Sequence, residues 1–217
     1  MTDSQKDRQR DAGINTIIFD LGGVLIDWNP RHLYRTIFGD DHAAMEWFLA
    51  HVCSPQWNLR QDAGRPWSEA IAEAEARHPE HAVHIRAYWE RWEETMGGAI
   101  DDTVALLDEL RSEPVRLLAL TNWSAETFPI GRRRFPFLDW FEAIVVSGEE
   151  KLIKPDRAIY ELLLQRYDVV PERAIFIDDS EANVIGAKKV GLHAIHFCGA
   201  FGLRRELVAA GLLLRRS

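Results

Sequence analysis

Thr16-Ile17-Ile18-Phe19-Asp20-Leu21-Gly22-Gly23 is a short apolar run, rich in β-branched residues, that ends in a carboxylate and two glycines. It reads as a buried strand running into a tight turn. Three later runs have the same form. Val115 to Leu120 ends in Thr121-Asn122, Ala143 to Val146 ends in Ser147-Gly148, and Ala174 to Ile177 ends in Asp178-Asp179. Helical patterns lie between them. Asp101-Asp102 precede Val104, Leu107 and Leu110; Pro155-Asp156 precede Ile159, Leu162 and Leu163; and Ser180 to Val190 is stopped by Gly191. Continuous apolar strands alternating with helices predict a parallel sheet covered on both faces, an α/β fold of Rossmann-like form.

Residues 31–98 differ, because they hold many helix formers and no convincing strand. They also contain Trp47, Trp57, Trp67, Trp89 and Trp92, with Trp28 just before them. Pro55, Gly64-Arg65-Pro66 and His78-Pro79 divide the segment into several helices, and Gly97-Gly98 is the expected hinge back to the sheet. The expected organisation is a polar tail over 1–13, a core over 14–30 and 99–217, and a helical insert over 31–98. Phe201 to Leu214 reads as an amphipathic helix packed on the sheet.

The chain has 217 residues, and 47% hydrophobic with 28% charged residues is globular usage, not that of a disordered or fibrous chain. With 26 Lys+Arg against 34 Asp+Glu the net charge is −8, which argues against a nucleic-acid or anionic-membrane surface. Arg132-Arg133-Arg134 and Arg215-Arg216 are too short to change that. Cys53 and Cys198 form no CxxC pattern, no apolar run reaches the ~20 residues of a membrane span, and the N-terminus has no leader pattern. A soluble cytoplasmic protein is expected, a monomer or homodimer, with no nucleic-acid or membrane partner. His78, His81 and His84 at helical spacing lack matching acid ligands and read as a solvated face.

In an open parallel sheet, ligands bind beyond the carboxyl ends of the strands. Asp20, Thr121-Asn122, Lys154 and Asp178-Asp179 collect there. Taken singly, each has an ordinary explanation as a turn, cap or loop residue.

Together, Phe19-Asp20-Leu21-Gly22-Gly23-Val24-Leu25, Thr121-Asn122, Lys154-Pro155 and Ile177-Asp178-Asp179, with Asn183 and Gly186-Ala187 downstream, resemble the four ordered motifs of the haloacid dehalogenase-like hydrolase superfamily. Asp27-Trp28-Asn29-Pro30, Pro55-Gln56-Trp57-Asn58 and Leu120-Thr121-Asn122-Trp123 are most similar to its bacterial sugar-phosphatase branch, which includes α-D-glucose-1-phosphatases. The resemblance implies that 31–98 is a C1-type cap and that the protein is a Mg²⁺-dependent phosphomonoesterase acting on a phosphorylated metabolite, such as a sugar 1-phosphate. It implies Asp20 as the nucleophile that forms an aspartyl-phosphate. Asp20, the Gly22 carbonyl, Asp178 and Asp179 are the implied metal ligands. Gly22, Gly23, Thr121, Asn122 and Lys154 are implied around the phosphate.

One position departs from the family pattern. Its phosphatases commonly carry a second aspartate two residues after the nucleophile, as general acid and base; here Gly22 stands. General acid–base help is worth ~10²–10⁴-fold, so another group must handle the proton, with Asp27, a cap residue or bulk water as candidates. Gly22 also argues against a mutase, and the absence of lysine from 31–98 argues against a Schiff-base phosphonatase. Two alternatives stay open: a metal-independent 2-haloacid dehalogenase, against which Asp178-Asp179 stands, and a binding or regulatory domain without turnover. Trp28, Trp57 and Trp123 are candidate substrate contacts because they adjoin motif residues, as are Arg31, Asn58, Arg60 and Asp62.

Overall fold

The structure is a computed structural model that describes residues 13–214. The tail expected over 1–13 therefore lies outside the described residues except for Gly13, as do Arg215-Arg216. Five strands form a parallel sheet: β1 (Thr16–Phe19), β4 (Arg116–Thr121), β5 (Ala143–Val146), β6 (Ala174–Asp178) and β7 (His193–His196), in the order β5-β4-β1-β6-β7. Successive residues of β1 serve opposite faces. Ile17 and Phe19 join a cluster with Leu117, Ala119, Ile175 and Ile177, while Ile18 joins Leu118, Leu120 and Phe176. Both sets are buried, which is why the run is continuously apolar instead of alternating.

Between β2 (Ile26–Trp28) and β3 (Met96–Ala99) the chain is helical: α1 (Pro30–Phe38), α2 (His42–His51), α3 (Pro55–Asp62), α4 (Trp67–Arg77) and α5 (Ala82–Glu90). The starts follow local chemistry. Asn29 caps α1 by accepting from the Arg31 N–H, and Ser54 caps α3 by accepting from the Trp57 N–H, each with proline at the first helical position. Tyr34, Phe48, Trp57, Trp67 and Tyr88 bury their rings together, and their cluster is continuous with the β1 face that carries Ile17 and Phe19.

The remaining helices are α6 (Asp101–Leu110), α7 (Phe128–Arg134), α8 (Ser147–Glu150), α9 (Arg157–Arg166), α10 (Glu181–Lys188) and α11 (Ala200–Ala209). Three expectations are corrected. Gly97 and Gly98 are strand residues, not a free hinge: β2 and β3 form an antiparallel ribbon in which Gly98 pairs with Asp27 and Gly97 falls at a register shift. A Cβ on Gly97 would overlap the Asp27 carboxylate, so the glycine there permits a close approach. The C-terminal helix ends at Ala209, and Gly211 at φ 76 turns the chain so that Leu212 and Leu213 are buried. His78, His81 and His84 are half-buried, with His81 and His84 packed against Phe48, because an aromatic layer covers that side of α5. Among the described residues no helix is long and apolar enough to cross a membrane.

Candidate active site

Strand register brings the motif residues together. Phe19 is level with Ala119 on one side and Ile177 on the other, so the next residue, Asp20, is level with Leu120 and Asp178 at the carboxyl edge. Lys154 reaches into this edge and is fully enclosed. Its Nζ lies 2.8 Å from Asp20 Oδ1 and 2.7 Å from Asp178 Oδ2, and donates to the Leu120 carbonyl at 2.9 Å. An ammonium has three donors, and these partners use all three. In this arrangement Lys154 holds the two carboxylates together, and its hydrogens are already committed before any phosphate arrives.

Asn122 fixes the lysine's main chain. Its Oδ1 accepts from the Lys154 N–H at 2.8 Å and its Nδ2 donates to the Lys154 carbonyl at 3.0 Å. Both ends of the amide are therefore occupied, and an anion contact from this residue falls to its backbone N–H. Thr121 is buried at the end of β4 and lines the cavity beside Gly22.

Asp178 accepts from the Ser180 N–H at 2.8 Å and from Asn183 Nδ2 at 3.0 and 3.1 Å, besides Lys154. Asp179 is exposed, and its carbonyl is bonded to a His196 ring nitrogen at 2.9 Å. Asp20, Asp178 and Asp179 each place a carboxylate oxygen within 4.8 Å of the others. An all-oxygen donor set of this kind fits a hard divalent cation. With Asp178 saturated by hydrogen bonds, Asp20 and Asp179 have the freer oxygens. Gly23, at φ 74, lies so close to Asp179 that a Cβ would overlap the carboxylate.

Electrostatics mark the same cluster. Burial pushes the Asp20 carboxyl up to about 8; Lys154 opposes that rise and Asp178 adds to it. Burial and Asp178 also raise Asp179. Burial alone would depress the Lys154 ammonium, but Asp20 and Asp178 outweigh it and hold the group above the ordinary lysine range. Two carboxyls raised together at one strand edge mark it as a candidate functional site.

A small cavity of about 50 Å³ opens over this edge, with Gly22, Thr121 and Asn122 on the sheet side. From the helical segment come Asn58, Asp62 and Trp92, and Trp28 and Trp123 complete the wall. Two of the three expected tryptophans thus reach the cavity. Trp57 does not: it is buried against Trp67 and Tyr88, with ring centroids 5.5 Å away in each case, because it faces the core of the helical segment. Arg31 is paired with Glu46, and Arg60 lies close to Glu73, both on exposed surface. Asp27 is exposed and sits 3.0 Å from His32, so it is not on the cavity wall. Trp92 is the wall residue that sequence reasoning missed; it lies in a 3₁₀ turn just before β3, where nothing local distinguishes it from a core tryptophan.

The comparisons with known proteins agree with this geometry. A family model described as haloacid dehalogenase-like hydrolase matches residues 14–191. The sesquiterpene phosphatase astK of Aspergillus oryzae is 29% identical over 88% of this chain and 93% of its own length. The N-acylneuraminate-9-phosphatase of Rattus norvegicus is 32% identical over 83% of this chain and 81% of its own. Among solved structures, a HAD-family enzyme of Bacteroides thetaiotaomicron in complex with magnesium and inorganic phosphate superposes with a TM-score of 0.65 at 24% identity, covering 84% of this chain and 93% of that one. The chain belongs to the haloacid dehalogenase-like hydrolases.

Proposed function

We propose that this hydrolase is a Mg²⁺-dependent phosphomonoesterase that works through an aspartyl-phosphate on Asp20, with residues 31–98 acting as a cap over residues 14–30 and 99–217. The observation that carries this reading is the Asp20–Lys154–Asp178 cluster with Asp179 beside it. Phosphatases among the relatives support it.

The chain's own groups supply most of the chemistry. A carboxylate oxygen of Asp20 attacks phosphorus, the ester oxygen departs, and water later hydrolyses the acyl phosphate, so one hard displacement becomes two. Lys154 aims Asp20 and opposes the rise that burial imposes on its carboxyl. Thr121 and the Asn122 backbone N–H face the phosphoryl oxygens from the end of β4. Asp20 and Asp179, with the Gly22 carbonyl and Asp178 near, would hold Mg²⁺, which when bound offsets repulsion between carboxylate and phosphate.

The substrate we propose is a small phosphorylated metabolite of the sugar phosphate class, such as a sugar 1-phosphate. Trp28, Trp92 and Trp123 offer flat faces and Asn58 a polar group, a lining suited to a sugar ring. A space of about 50 Å³ is far below the ~300–1,000 Å³ of ordinary ligand pockets, so the helical segment must shift to admit it. The free thiols Cys53 and Cys198 support a cytoplasmic setting.

The test is phosphate release from a panel of sugar phosphates and other phosphoesters with Mg²⁺ or EDTA, for the native protein and Asp20→Asn. Release that needs Mg²⁺ and Asp20 is expected. Metal-independent halide release from 2-haloacids, or ligand binding without any turnover, would overturn the reading.

A further inference from the structure

The cavity at the strand edge, walled by Gly22, Thr121 and Asn122 on the sheet side, has one ionisable side chain in its wall, and it comes from the opposite side. Gly22, Thr121 and Asn122 supply no acid, the three tryptophans and Asn58 supply none, and Asp62 at the end of α3 does. Asp27, the nearer candidate in sequence, is on exposed surface beside His32.

Asp62 is held from both sides. Asn58, one turn earlier on α3, donates to its Oδ2 at 3.0 Å, and the backbone N–H of Ser124 donates to its carboxyl from the loop after β4. Its carbonyl accepts from Ser147 Oγ at 2.6 Å at the end of β5, and that hydroxyl also accepts from the Trp123 N–H. Trp67, at the start of α4, adds a bond from its indole to Ser124 Oγ at 3.1 Å. A residue whose side chain is held by Ser124 and by Asn58 of its own helix, and whose carbonyl is held by Ser147, is positioned, not merely near.

We propose that Asp62 is the acid–base residue of this enzyme, doing from the helical segment what Gly22 cannot do from the strand. The proposal rests on the phosphomonoesterase reading. In the first step the Asp20 oxygen–phosphorus bond forms, the bond from phosphorus to the leaving oxygen breaks, and the Asp62 proton passes to that oxygen. In the second step water's oxygen bonds to phosphorus, the Asp20 oxygen departs, and water's proton passes to the Asp62 carboxylate, which restores both residues.

The environment suits the role. Burial pushes the Asp62 carboxyl up to about 8, against the Ser124 N–H and Asn58, which pull it down. The titratable groups facing it are Asp20 from β1, Lys154, and Tyr88 from α5. It is therefore protonated near neutrality, as an acid must be, and it loses that proton as pH rises through about 8.

The experiment compares the native protein, Asp62→Asn and Asp62→Glu, all with Mg²⁺, on an alkyl phosphate with a basic leaving alkoxide and on an aryl phosphate with a weakly basic one. It follows kcat/KM against pH, the burst of aryl alcohol, and phosphoenzyme by intact mass. In Asp62→Asn, kcat/KM should fall ~10²–10⁴-fold on the alkyl ester and less than about tenfold on the aryl ester. The alkaline limb near pH 8 should vanish, aryl alcohol should appear in a burst, and phosphoenzyme should accumulate because its hydrolysis lacks a base. Asp62→Glu should recover part of the alkyl activity. Equal losses on both esters without phosphoenzyme, or an unchanged alkaline limb, would overturn the role of Asp62 while leaving the phosphatase intact. A native protein that releases no phosphate from either ester with Mg²⁺ would overturn the phosphatase reading, and this role with it.

Discussion

Asn122 and Lys154 are joined by a reciprocal pair of hydrogen bonds, side-chain amide to main chain, at 2.8 and 3.0 Å. The pair clamps the loop that delivers the lysine to the end of the amide that follows β4. Asn122→Ala should remove both bonds and leave a partly buried N–H and carbonyl unpaired, at a cost of about 1–3 kcal/mol. Urea unfolding should report that loss, and phosphate release should fall with it; unchanged stability would mean that water replaces the amide without penalty.

Lys154 lies between Asp20 and Asp178 with no exposed side-chain surface. Lys154→Met keeps the volume and strands two buried carboxylates. Removing one partner of a buried pair costs about 3–5 kcal/mol, so we expect a large drop in the unfolding midpoint and abolished turnover. Lys154→Arg should also fail, because a planar fork cannot reproduce three bonds from one point. Activity within tenfold of native in Lys154→Arg would show that the charge alone suffices.

Gly23 at φ 74 backs directly onto Asp179. Gly23→Ala should strain the left-handed backbone by about 1–2 kcal/mol and displace the carboxylate. Isothermal titration with Mg²⁺ should show a dissociation constant raised ~10–100-fold, the range for disturbing the support of a metal ligand. The neighbouring Gly22 is different: a Cβ there would meet nothing nearer than the Trp28 Cβ at 4.0 Å. Gly22→Asp should therefore fold normally, and in an Asp62→Asn background it should restore alkyl phosphate turnover.

Asp20 and Asp62 are both pushed up to about 8 in the folded chain, whereas an unfolded aspartate titrates near ~3.9. Between those values the folded state binds more protons than the unfolded state. Stability of the metal-free protein should therefore fall as pH rises from about 4 to about 8. A divalent cation takes ionised Asp20, so Mg²⁺ should raise Tm more at about pH 8.5 than at about pH 5.5. Thermal unfolding with Mg²⁺ or EDTA across that range checks the sign; a shift that is the same at both ends would count against Asp20 as a ligand.

Much of the sheet was legible in the sequence because its signal is local and redundant. Thr16 to Phe19 and Ala174 to Ile177 are buried on both faces, so burial appears as unbroken runs, and the polar residue at the end of each run marks the carboxyl edge. The β2–β3 ribbon escaped because Met96-Gly97-Gly98-Ala99 has strand geometry without strand composition; Gly97 answers to the Asp27 carboxylate, which is distant in sequence. The candidate site divides along the same line. Asp20, Thr121, Asn122, Lys154, Asp178 and Asp179 carry motif spacing and are brought together. Of the polar candidates in the helical segment, Asn58 and Asp62 reach the wall while Arg31 and Arg60 pair on the surface, a choice that depends on how the helices pack and that no local pattern encodes; hence too Trp57, beside a motif residue, turned inward, while Trp92, beside none, turned toward the cavity.

Lys154 also sets an electrical balance at the strand edge. Fully ionised, Asp20, Asp178 and Asp179 with the single ammonium leave two uncompensated negative charges within a few ångströms. A divalent ion cancels that excess, and a monovalent ion cancels only half of it. A dianionic phosphate then approaches a neutral centre, whereas without the ion it would meet a field of its own sign in a region where water screens poorly. Ion valence, set by one buried lysine, thus governs whether an anion can enter at all.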